Sequence, residues 1–401
     1  MTEGRRRNRP VPPTLVIIGT GSFARSVARS LQPPPDGSLR VRVVGRRAAA
    51  AAQLAEVCNV RSVIDDHPMT FSANEADLPS DDAIAGEVAA AGPDVVMQCA
   101  SHQSPWESAT APSAWTRWCA SAGFGVTLAL QARLAWRVSA RLKDSGYAGT
   151  LLNACYPDAV NPLLSLLGSA AFAGLGNVGT LAAGLSRATL GTVPLLGPRA
   201  DAAAGRAAPR PDEARVRMLA HHVHLHRPAH PADEAMAWLG QARLDDVGAL
   251  LRPLRTIDRS RLNDIAGHAA ARLAGALLDG GSLRTHCSGP LGLPGGYPVV
   301  LDGGELRLDL PPDLTRDQAV AWNQRMAADD GVVVRPDGRI VHPPRTARAL
   351  HPYLPHLAAG FDADDTASVA DELLALRHRL RTSTEDLRTT GGRTEPCAAR
   401  C

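Results

Sequence analysis

Short apolar runs alternate with segments of helical periodicity over the first 160 residues. The runs that predict buried strands cover residues 14–18, 41–44, 60–64, 95–99 and 149–154. Helical spacing of apolar residues predicts helices between them, at 22–31, 48–57, 82–91 and 128–142, whereas the polar stretch 70–81 predicts a loop. Strands that alternate with helices indicate a parallel, doubly wound sheet.

The pattern is less regular after residue 160. An exposed loop is predicted at 199–213, a strand at 216–225 and an amphipathic helix at 259–278. The Gly-rich stretch 289–310 predicts antiparallel strands, and further helices are predicted at 316–328 and 366–380. We therefore predict an α/β chain with an N-terminal doubly wound domain over 14–160 and a C-terminal α+β substrate and dimerisation domain over 161–381. Residues 1–13 predict a disordered arm and 382–401 a disordered tail.

Composition narrows the class of partner. The chain has 401 residues, of which 45% are hydrophobic, and its 43 basic and 40 acidic residues give a net charge of +3. This balanced surface favours neither nucleic acid nor membrane as a partner. No apolar run reaches the roughly 18–20 residues of a membrane span, and the basic, Pro-rich start lacks the apolar core of a signal peptide. Seven scattered cysteines do not suggest a disulfide framework, so we expect a cytoplasmic protein.

A glycine-rich turn follows the first predicted strand and opens the first helix. It has the form G-x-G-x-x-A, in which the first glycine permits a tight turn, the second lets the backbone approach a pyrophosphate, and the alanine lets helix and sheet pack closely. A strand–loop–helix context near the chain start is the one that a dinucleotide-binding Rossmann domain requires. The residues predicted to bind the cofactor here are Gly19, Thr20, Gly21, Ser22, Phe23 and Ala24.

The end of the second predicted strand indicates which cofactor is preferred. An NAD site usually has a carboxylate there for the ribose 2′-hydroxyl, whereas this chain has Gly45, Arg46 and Arg47. A guanidinium can bind a 2′-phosphate bidentately, so NADP(H) is favoured over NAD(H). The alternative is that both arginines are simply solvated. Ala100, just after the strand 95–99, completes the predicted cofactor-binding set.

Two later segments contain candidate catalytic residues. Asn153 comes at the end of a predicted strand, where open α/β sheets bind ligands, although Asn and Asp with Pro are also ordinary turn residues. A run of histidines follows residue 220, and in a strand His222, His224 and His226 would share one face. One catalytic histidine and a structural cluster are both open interpretations. No nearby Cys or carboxylate completes a ligand spacing, so no metal site is predicted.

The order of these landmarks resembles the lactate/malate dehydrogenase superfamily. The first glycine motif is followed by a strand end that runs from Asn to Asp at 153–158 and by a G-x-G segment at 174–178. A strand that ends in histidine at 220–222 comes next, and a long helix then leads to a Gly-rich pair of strands. The resemblance implies His222 as the acid/base, Asn153 as the amide that orients substrate or cofactor, and association into a homodimer or tetramer. Further predicted substrate contacts are His102, Asp158, Asn177, His221 and His224.

The sequence departs from that superfamily in one functional segment. The superfamily has an Asp that orients the histidine and an Arg that binds a substrate carboxylate just after the G-x-G segment, but residues 179–184 contain neither, and Arg187 does not fit the spacing. A simple lactate- or malate-like substrate is therefore not expected, and a larger or neutral one fits better.

These features together predict an NADP-dependent oxidoreductase. Hydride would pass between the nicotinamide and a carbonyl or imine carbon of a small molecule, for example a specialised metabolite. One alternative is an opine- or saccharopine-type imine reductase, because a strand followed by Gly-Arg-Arg and an Ala-rich helix also occurs there. The other is a non-catalytic protein that senses NADP(H).

Overall fold

A computed structural model describes residues 11–35, 37–169, 171–190 and 215–382. Most of the predicted arm, the loop at 199–213 and the tail beyond 382 lie outside these residues. The strands are β1 (Thr14–Ile18), β2 (Leu39–Val44), β3 (Met69–Ala73), β4 (Val95–Gln98), β5 (Thr150–Asn153), β6 (Ala173–Gly174), β7 (Val216–Leu219), β8 (Met236–Leu239), β9 (Ala242–Arg243), β10 (Leu283–Ser288), β11 (Gly296–Asp302), β12 (Glu305–Leu308), β13 (Val333–Val334), β14 (Arg339–Val341) and β15 (Gly360–Asp362).

The helices pack on both faces of the largest sheet. In chain order they are α1 (Ser22–Ser30), α2 (Ala48–Ile64), α3 (Asp81–Ala90), α4 (Glu107–Thr110), α5 (Ala114–Ala122), α6 (Leu128–Asp144), α7 (Pro157–Leu166), α8 (Asn177–Leu190), α9 (Val247–Arg255), α10 (Arg259–Asp279), α11 (Arg316–Asp330), α12 (Pro344–Leu350) and α13 (Thr366–Thr382). Among the described residues, no helix is long and apolar enough to cross a membrane.

The central sheet has the strand order β12-β11-β10-β6-β5-β4-β1-β2-β3. Its six strands from β3 to β6 are parallel and follow the 3-2-1-4-5-6 order of a dinucleotide-binding Rossmann sheet. β10, β11 and β12 continue the sheet in antiparallel fashion beyond β6. The predicted α/β class with a doubly wound N-terminal half is confirmed by this order.

Two hydrophobic cores cover the two faces of the sheet. Because side chains alternate along a strand, Val16 and Ile18 of β1 enter one core, and Leu15 and Ile17 enter the other. The first core also contains residues of α12 and α13, and the second contains residues of α10 and α11. The domain boundary at residue 160 stays a prediction, and the sheet itself continues across it.

The predicted strand at 60–64 is wrong, because these residues form the last turns of α2. The helix meets no breaker before the turn at Asp65 and Asp66, and its β-branched side chains face solvent, with Val63 77% exposed. The third strand is β3, which overlaps the start of the predicted loop 70–81. β3 buries Met69 and Phe71 and exposes Thr70 and Ser72, which alternate with them, and it lies at the edge of the sheet.

The predicted strand at 216–225 ends at Leu219. Ala220 forms one last bridge to Gly296, after which residues 222–225 form a 3₁₀ turn. The turn is closed by His224, whose amide donates to the His221 carbonyl at 3.0 Å and whose Nδ1 accepts the His221 amide at 2.9 Å. His222, His224 and His226 therefore do not share one strand face, contrary to the prediction.

Candidate active site

The carboxyl edge of the central sheet holds the candidate active site. One row of paired residues crosses the sheet at this edge, in the order Ile18, Gln98, Asn153, Gly174, Ser288, Gly296 and Ala220. Strands in a sheet are about 4.8 Å apart, so Ile18 and Asn153 are separated by roughly 10 Å. The glycine loop after Ile18, the turn after Asn153 and the histidines after Ala220 thus extend from the same edge.

The glycine loop leaves the N-terminus of α1 open. Gly19 has φ +114°, and a Cβ there would lie 3.2 Å from the Ala100 Cβ, so the position requires glycine. Gly21 is the N-cap residue of α1; within the described chain no side chain caps the helix, and no atom lies within 4 Å of a Cβ added at Gly21. Exposed helix N–H groups beside an open glycine backbone fit a pyrophosphate.

The other residues of the predicted loop support its shape. The Thr20 carbonyl accepts a hydrogen bond from Arg25 Nε at 3.0 Å. Ser22 Oγ accepts one from Asn263 Nδ2 of α10 at 2.8 Å. Ala24 is fully buried, as close packing of α1 on the sheet requires, and Phe23 is half-buried. The loop is therefore held from both sides while Gly21 stays open.

The end of β2 presents two arginines to solvent. Gly45 is buried and is clamped by Asn74, whose Oδ1 accepts the Gly45 amide at 2.9 Å and whose Nδ2 donates to the Gly45 carbonyl at 3.0 Å. Arg46 and Arg47 are exposed, and neither forms an ion pair with another described residue. Their guanidinium groups can meet an anion beside the glycine loop. The sequence did not predict these hydrogen bonds of Asn74, because residues 70–81 were predicted to form a loop, and a loop gave no reason to place Asn74 beside Gly45.

Asn153 is fully buried, and its amide is used within the turn that follows β5. Its Nδ2 donates to the Cys155 carbonyl at 3.1 Å and to Asn161 Oδ1 at 2.8 Å, and its Oδ1 accepts the Cys155 amide at 2.9 Å. Asn161 in turn donates to the Gly289 carbonyl at 3.0 Å. The observed contacts correspond to the turn alternative, and a role in orienting substrate or cofactor stays a prediction.

His222 lies between two buried carboxylates. Its Nε2 is 3.4 Å from Asp330 Oδ2 and its Nδ1 is 3.8 Å from Asp158 Oδ2, while its backbone N–H donates to Asp158 Oδ1 at 3.2 Å. Tyr156 donates its hydroxyl to Asp330, and the rings of Tyr156 and Phe124 contact the imidazole edge-on at centroid distances of 5.2 and 5.9 Å. Asp330, at the end of α11, is a site residue that sequence reasoning missed.

The protonation of this cluster follows from burial and charge. Burial opposes a charge on His222, but the nearby Asp330 and Asp158 outweigh it and raise the pKa of His222. Burial likewise opposes ionisation of Asp330, yet His222 and the Tyr156 hydroxyl lower the pKa of Asp330 overall. Burial and the neighbouring Asp330 raise the pKa of Tyr156. The neutral phenol and the ionised carboxylate are therefore the stable forms.

His221 and Asp158 lie on the inner side of His222. His221 is fully buried, and its Nε2 is 4.0 Å from Asp158 Oδ1 with no hydrogen-bond partner among the described residues. Burial lowers the pKa of His221 to about 4, so the imidazole is neutral. Asp158, His221 and His222 offer three ligand atoms within 4.8 Å of one another, a grouping that can hold a metal ion.

The remaining predicted substrate contacts are engaged elsewhere. His224 stacks on Trp322 at a centroid distance of 5.3 Å, and its Nε2 is 2.8 Å from the Asp233 carbonyl oxygen. His102 Nε2 lies 2.9 Å from a carboxylate oxygen of Asp81. Asn177 is half-buried at the start of α8. Their contacts with substrate stay predictions.

No protein-family model and no curated protein sequence matches the chain. Among solved structures, it is similar to a minor L-lactate dehydrogenase from Enterococcus mundtii, at 13% identity and a TM-score of 0.49 over 79% of this chain and 96% of that chain. It is also similar to malate dehydrogenase from Archaeoglobus fulgidus in complex with NADH, at 12% identity and a TM-score of 0.48 over 79% and 98% of the two chains.

Proposed function

We propose that this protein is an NADP(H)-dependent oxidoreductase that acts on a carbonyl or imine carbon of a small molecule. The observation that carries the proposal is the common sheet edge, from which the glycine loop with its open Gly21, the exposed Arg46 and Arg47, and the His222 cluster all extend. In open α/β sheets, ligands bind at this edge where the strand order reverses, here between β1 and β4.

The cofactor side of the site follows from helix and charge geometry. The free N–H groups of α1 and the bare backbone at Gly21 would hold the pyrophosphate. Arg46 and Arg47 would bind the 2′-phosphate by charge-assisted hydrogen bonds, which an uncharged 2′-hydroxyl cannot match. When bound, the nicotinamide supplies or accepts the hydride.

The proton side of the site is the chain formed by Tyr156, Asp330 and His222. Reduction of a carbonyl or imine requires a proton at the oxygen or nitrogen as hydride reaches the carbon. The Tyr156 hydroxyl donates a hydrogen bond to Asp330, and Asp330 also faces His222 Nε2 at 3.4 Å. Phe124 packs edge-on against both rings.

The substrate is proposed to lack a carboxylate beside the reacting carbon. At the start of α8, where the resembled superfamily has its orienting Asp and carboxylate-binding Arg, this chain has Thr180 and no arginine before Arg187. Thr180 is buried, and its hydroxyl has no hydrogen-bond partner among the described residues. A neutral carbonyl or imine compound suits such a site better than a 2-hydroxy acid. Homodimer or tetramer formation and a cytoplasmic location stay predictions.

Fluorescence titration with NADPH and NADH tests the cofactor assignment. We expect NADPH to bind the wild type more tightly. Arg46→Ala should weaken NADPH by about ten- to a hundredfold, the equivalent of one or two charge-assisted bonds, and leave NADH unchanged. Arg348→Ala, an exposed arginine on α12, is the matched control. Absence of binding by either nucleotide would overturn the proposal.

Turnover distinguishes an enzyme from a protein that only senses NADP(H). We expect His222→Ala to keep the wild-type affinity for NADPH and to lose NADPH oxidation with the best compound of a ketone and imine panel. Preference for ketones or imines separates a dehydrogenase from an imine reductase of the opine type. A His222→Ala variant that turns over at the wild-type rate would exclude the proposed proton chain.

A further inference from the structure

We propose that Asp158, His221 and His222 bind one divalent transition-metal ion beside the proposed substrate position. The three side chains come from the start of α7 and the turn after β7, and their ligand atoms lie within 4.8 Å of one another. Asp158 and His221 are at most 1% exposed, and the His222 side chain is 19% exposed. The cluster is thus enclosed on the protein side and open at His222.

Two unsatisfied nitrogen atoms are the main evidence for an ion. His221 Nε2 and His222 Nδ1 are both buried without a hydrogen-bond partner among the described residues. They face the two oxygens of the same carboxylate, at 4.0 Å for His221 to Asp158 Oδ1 and 3.8 Å for His222 to Asp158 Oδ2. These distances are too long for hydrogen bonds, and buried polar groups rarely stay unpaired.

The same distances suit a shared metal ion. Zinc lies about 2.0–2.2 Å from imidazole nitrogen and carboxylate oxygen, so two ligand atoms on one ion are separated by about 3.4 Å in a tetrahedral arrangement and by at most about 4.3 Å. The observed 3.8 and 4.0 Å lie between these limits. Small side-chain rotations would therefore place His221 Nε2, His222 Nδ1 and Asp158 around one ion.

The cluster has neighbouring groups of the kind that usually hydrogen-bond to metal ligands and orient them. A ligating histidine commonly donates its other ring N–H to a carboxylate, which fixes the ring and the tautomer. His222 faces Asp158 through Nδ1 and presents Nε2 to Asp330 at 3.4 Å. The His222 amide also holds Asp158 Oδ1 at 3.2 Å, so carboxylate and imidazole orient each other.

The donor set points to Zn²⁺ or a similar transition metal. Imidazole nitrogen suits Zn²⁺, Co²⁺, Fe²⁺ and Ni²⁺, whereas Mg²⁺ and Ca²⁺ prefer sites made of oxygen atoms only. Three protein ligands leave a coordination position for a substrate or water, as in catalytic zinc sites. The role of the ion rests on the proposed function: it would polarise the substrate oxygen or nitrogen, and Tyr156 with Asp330 would carry the proton while His222 serves as a ligand.

Metal titration of the full-length protein after chelator treatment tests the site without any nicotinamide cofactor. We expect Zn²⁺ to bind at one equivalent per chain by calorimetry. Co²⁺ should give visible absorption bands of nitrogen and oxygen ligands, without the intense near-ultraviolet bands of thiolate. Asp158→Asn and His221→Gln should each weaken Zn²⁺ at least about a hundredfold. His356→Gln, an exposed histidine paired with Glu372, should bind as the wild type does.

The outcomes separate this proposal from the proposed function. NADPH binding without stoichiometric Zn²⁺ would overturn the metal site alone, and Zn²⁺ binding without NADPH binding would overturn the oxidoreductase alone. Thiolate bands in the wild-type Co²⁺ spectrum would refute the ligand assignment even if a variant failed to fold. Unchanged Zn²⁺ affinity in both variants would refute it as well, and the far-ultraviolet circular dichroism of each variant reports whether the fold is retained.

Discussion

Alanine substitutions at Gly19 and Gly21 should separate stability from cofactor binding. The two glycines are two residues apart in the loop between β1 and α1, yet their surroundings differ. Gly19 has φ +114°, and its added Cβ would lie 3.2 Å from the Ala100 Cβ and 3.3 Å from the Cys99 carbonyl. Gly21 has φ −72°, an ordinary value, and its added Cβ would extend into open space.

The expected magnitudes follow from these surroundings. Gly19→Ala should lower the free energy of unfolding by about 1–3 kcal/mol, because a non-glycine residue is strained at this φ and its Cβ displaces the neighbouring strand end. Gly21→Ala should lower it by at most about 1 kcal/mol, the difference between glycine and alanine at an N-cap. The Cβ of Gly21→Ala would occupy the space that the pyrophosphate needs, so NADPH affinity should fall about tenfold or more, or at least about 1.4 kcal/mol.

Urea unfolding followed by tryptophan fluorescence, combined with NADPH titration, measures both quantities on each variant. Gly86→Ala in α3 is the control, because no atom of the described residues lies within 4 Å of its added Cβ. It should keep wild-type affinity and gain about 0.5–1 kcal/mol of stability. Wild-type NADPH affinity in Gly21→Ala would refute the placement of the pyrophosphate, and wild-type stability in Gly19→Ala would refute the strain argument.

Three further substitutions test other parts of the structure. Glu107→Ala should cost about 1–3 kcal/mol in urea unfolding, because the buried Glu107 carboxylate lies 2.6 Å from the half-buried Arg377 guanidinium and its removal leaves that charge without an anion. Asn153→Ala should cost about 1–3 kcal/mol with NADPH affinity unchanged if the residue only holds its turn, whereas a lower kcat at full stability would identify a substrate contact. Burial, and secondarily the charge of Arg215, lower the pKa of His286 to about 3 in the folded chain. The unfolded chain keeps the ordinary pKa of about 6.5, so as the pH falls the unfolded chain takes up this proton before the folded chain does. Stability should therefore fall as pH drops below 6.5, by about 2 kcal/mol at pH 5, and His286→Gln should remove that part of the pH dependence.

Local patterns were sufficient for most of the first half of the fold. Strands β1, β2, β4 and β5 and their helices lie where apolar periodicity predicts them, and the glycine turn has the shape that its motif predicts. The third strand was misplaced because two local cues conflicted. The β-branched residues at 60–64 continue an alanine-rich helix, and the edge strand β3 alternates buried residues with Thr70 and Ser72, which made it resemble a polar loop.

The candidate site could be predicted only where its residues follow strand ends. His222 and Asp158 belonged to the predicted set, but their proximity did not, since they are 64 residues apart. Asp330 is 174 residues from its partner Tyr156, and no motif marks it. No Cys or carboxylate near the histidines in sequence completes a ligand spacing, which is why the sequence predicts no metal site. The carboxylate that completes the cluster is brought there by α7, so ligand spacing alone could not reveal it.

The antiparallel extension of the sheet explains why the distant parts meet. Parallel strands all end at one edge, which is why strand-end residues such as Asn153 are predictable candidates. The histidines reach that edge by another route: β10 and β11 extend the sheet beyond β6, and the bridge between Gly296 and Ala220 attaches the chain just before His221. A Cβ at Gly296 would lie 2.7 Å from the Ala220 carbonyl oxygen, so this approach depends on glycine. The Gly-rich stretch after residue 289 therefore matters to the site because it allows the close backbone contact that carries the histidines to Asp158.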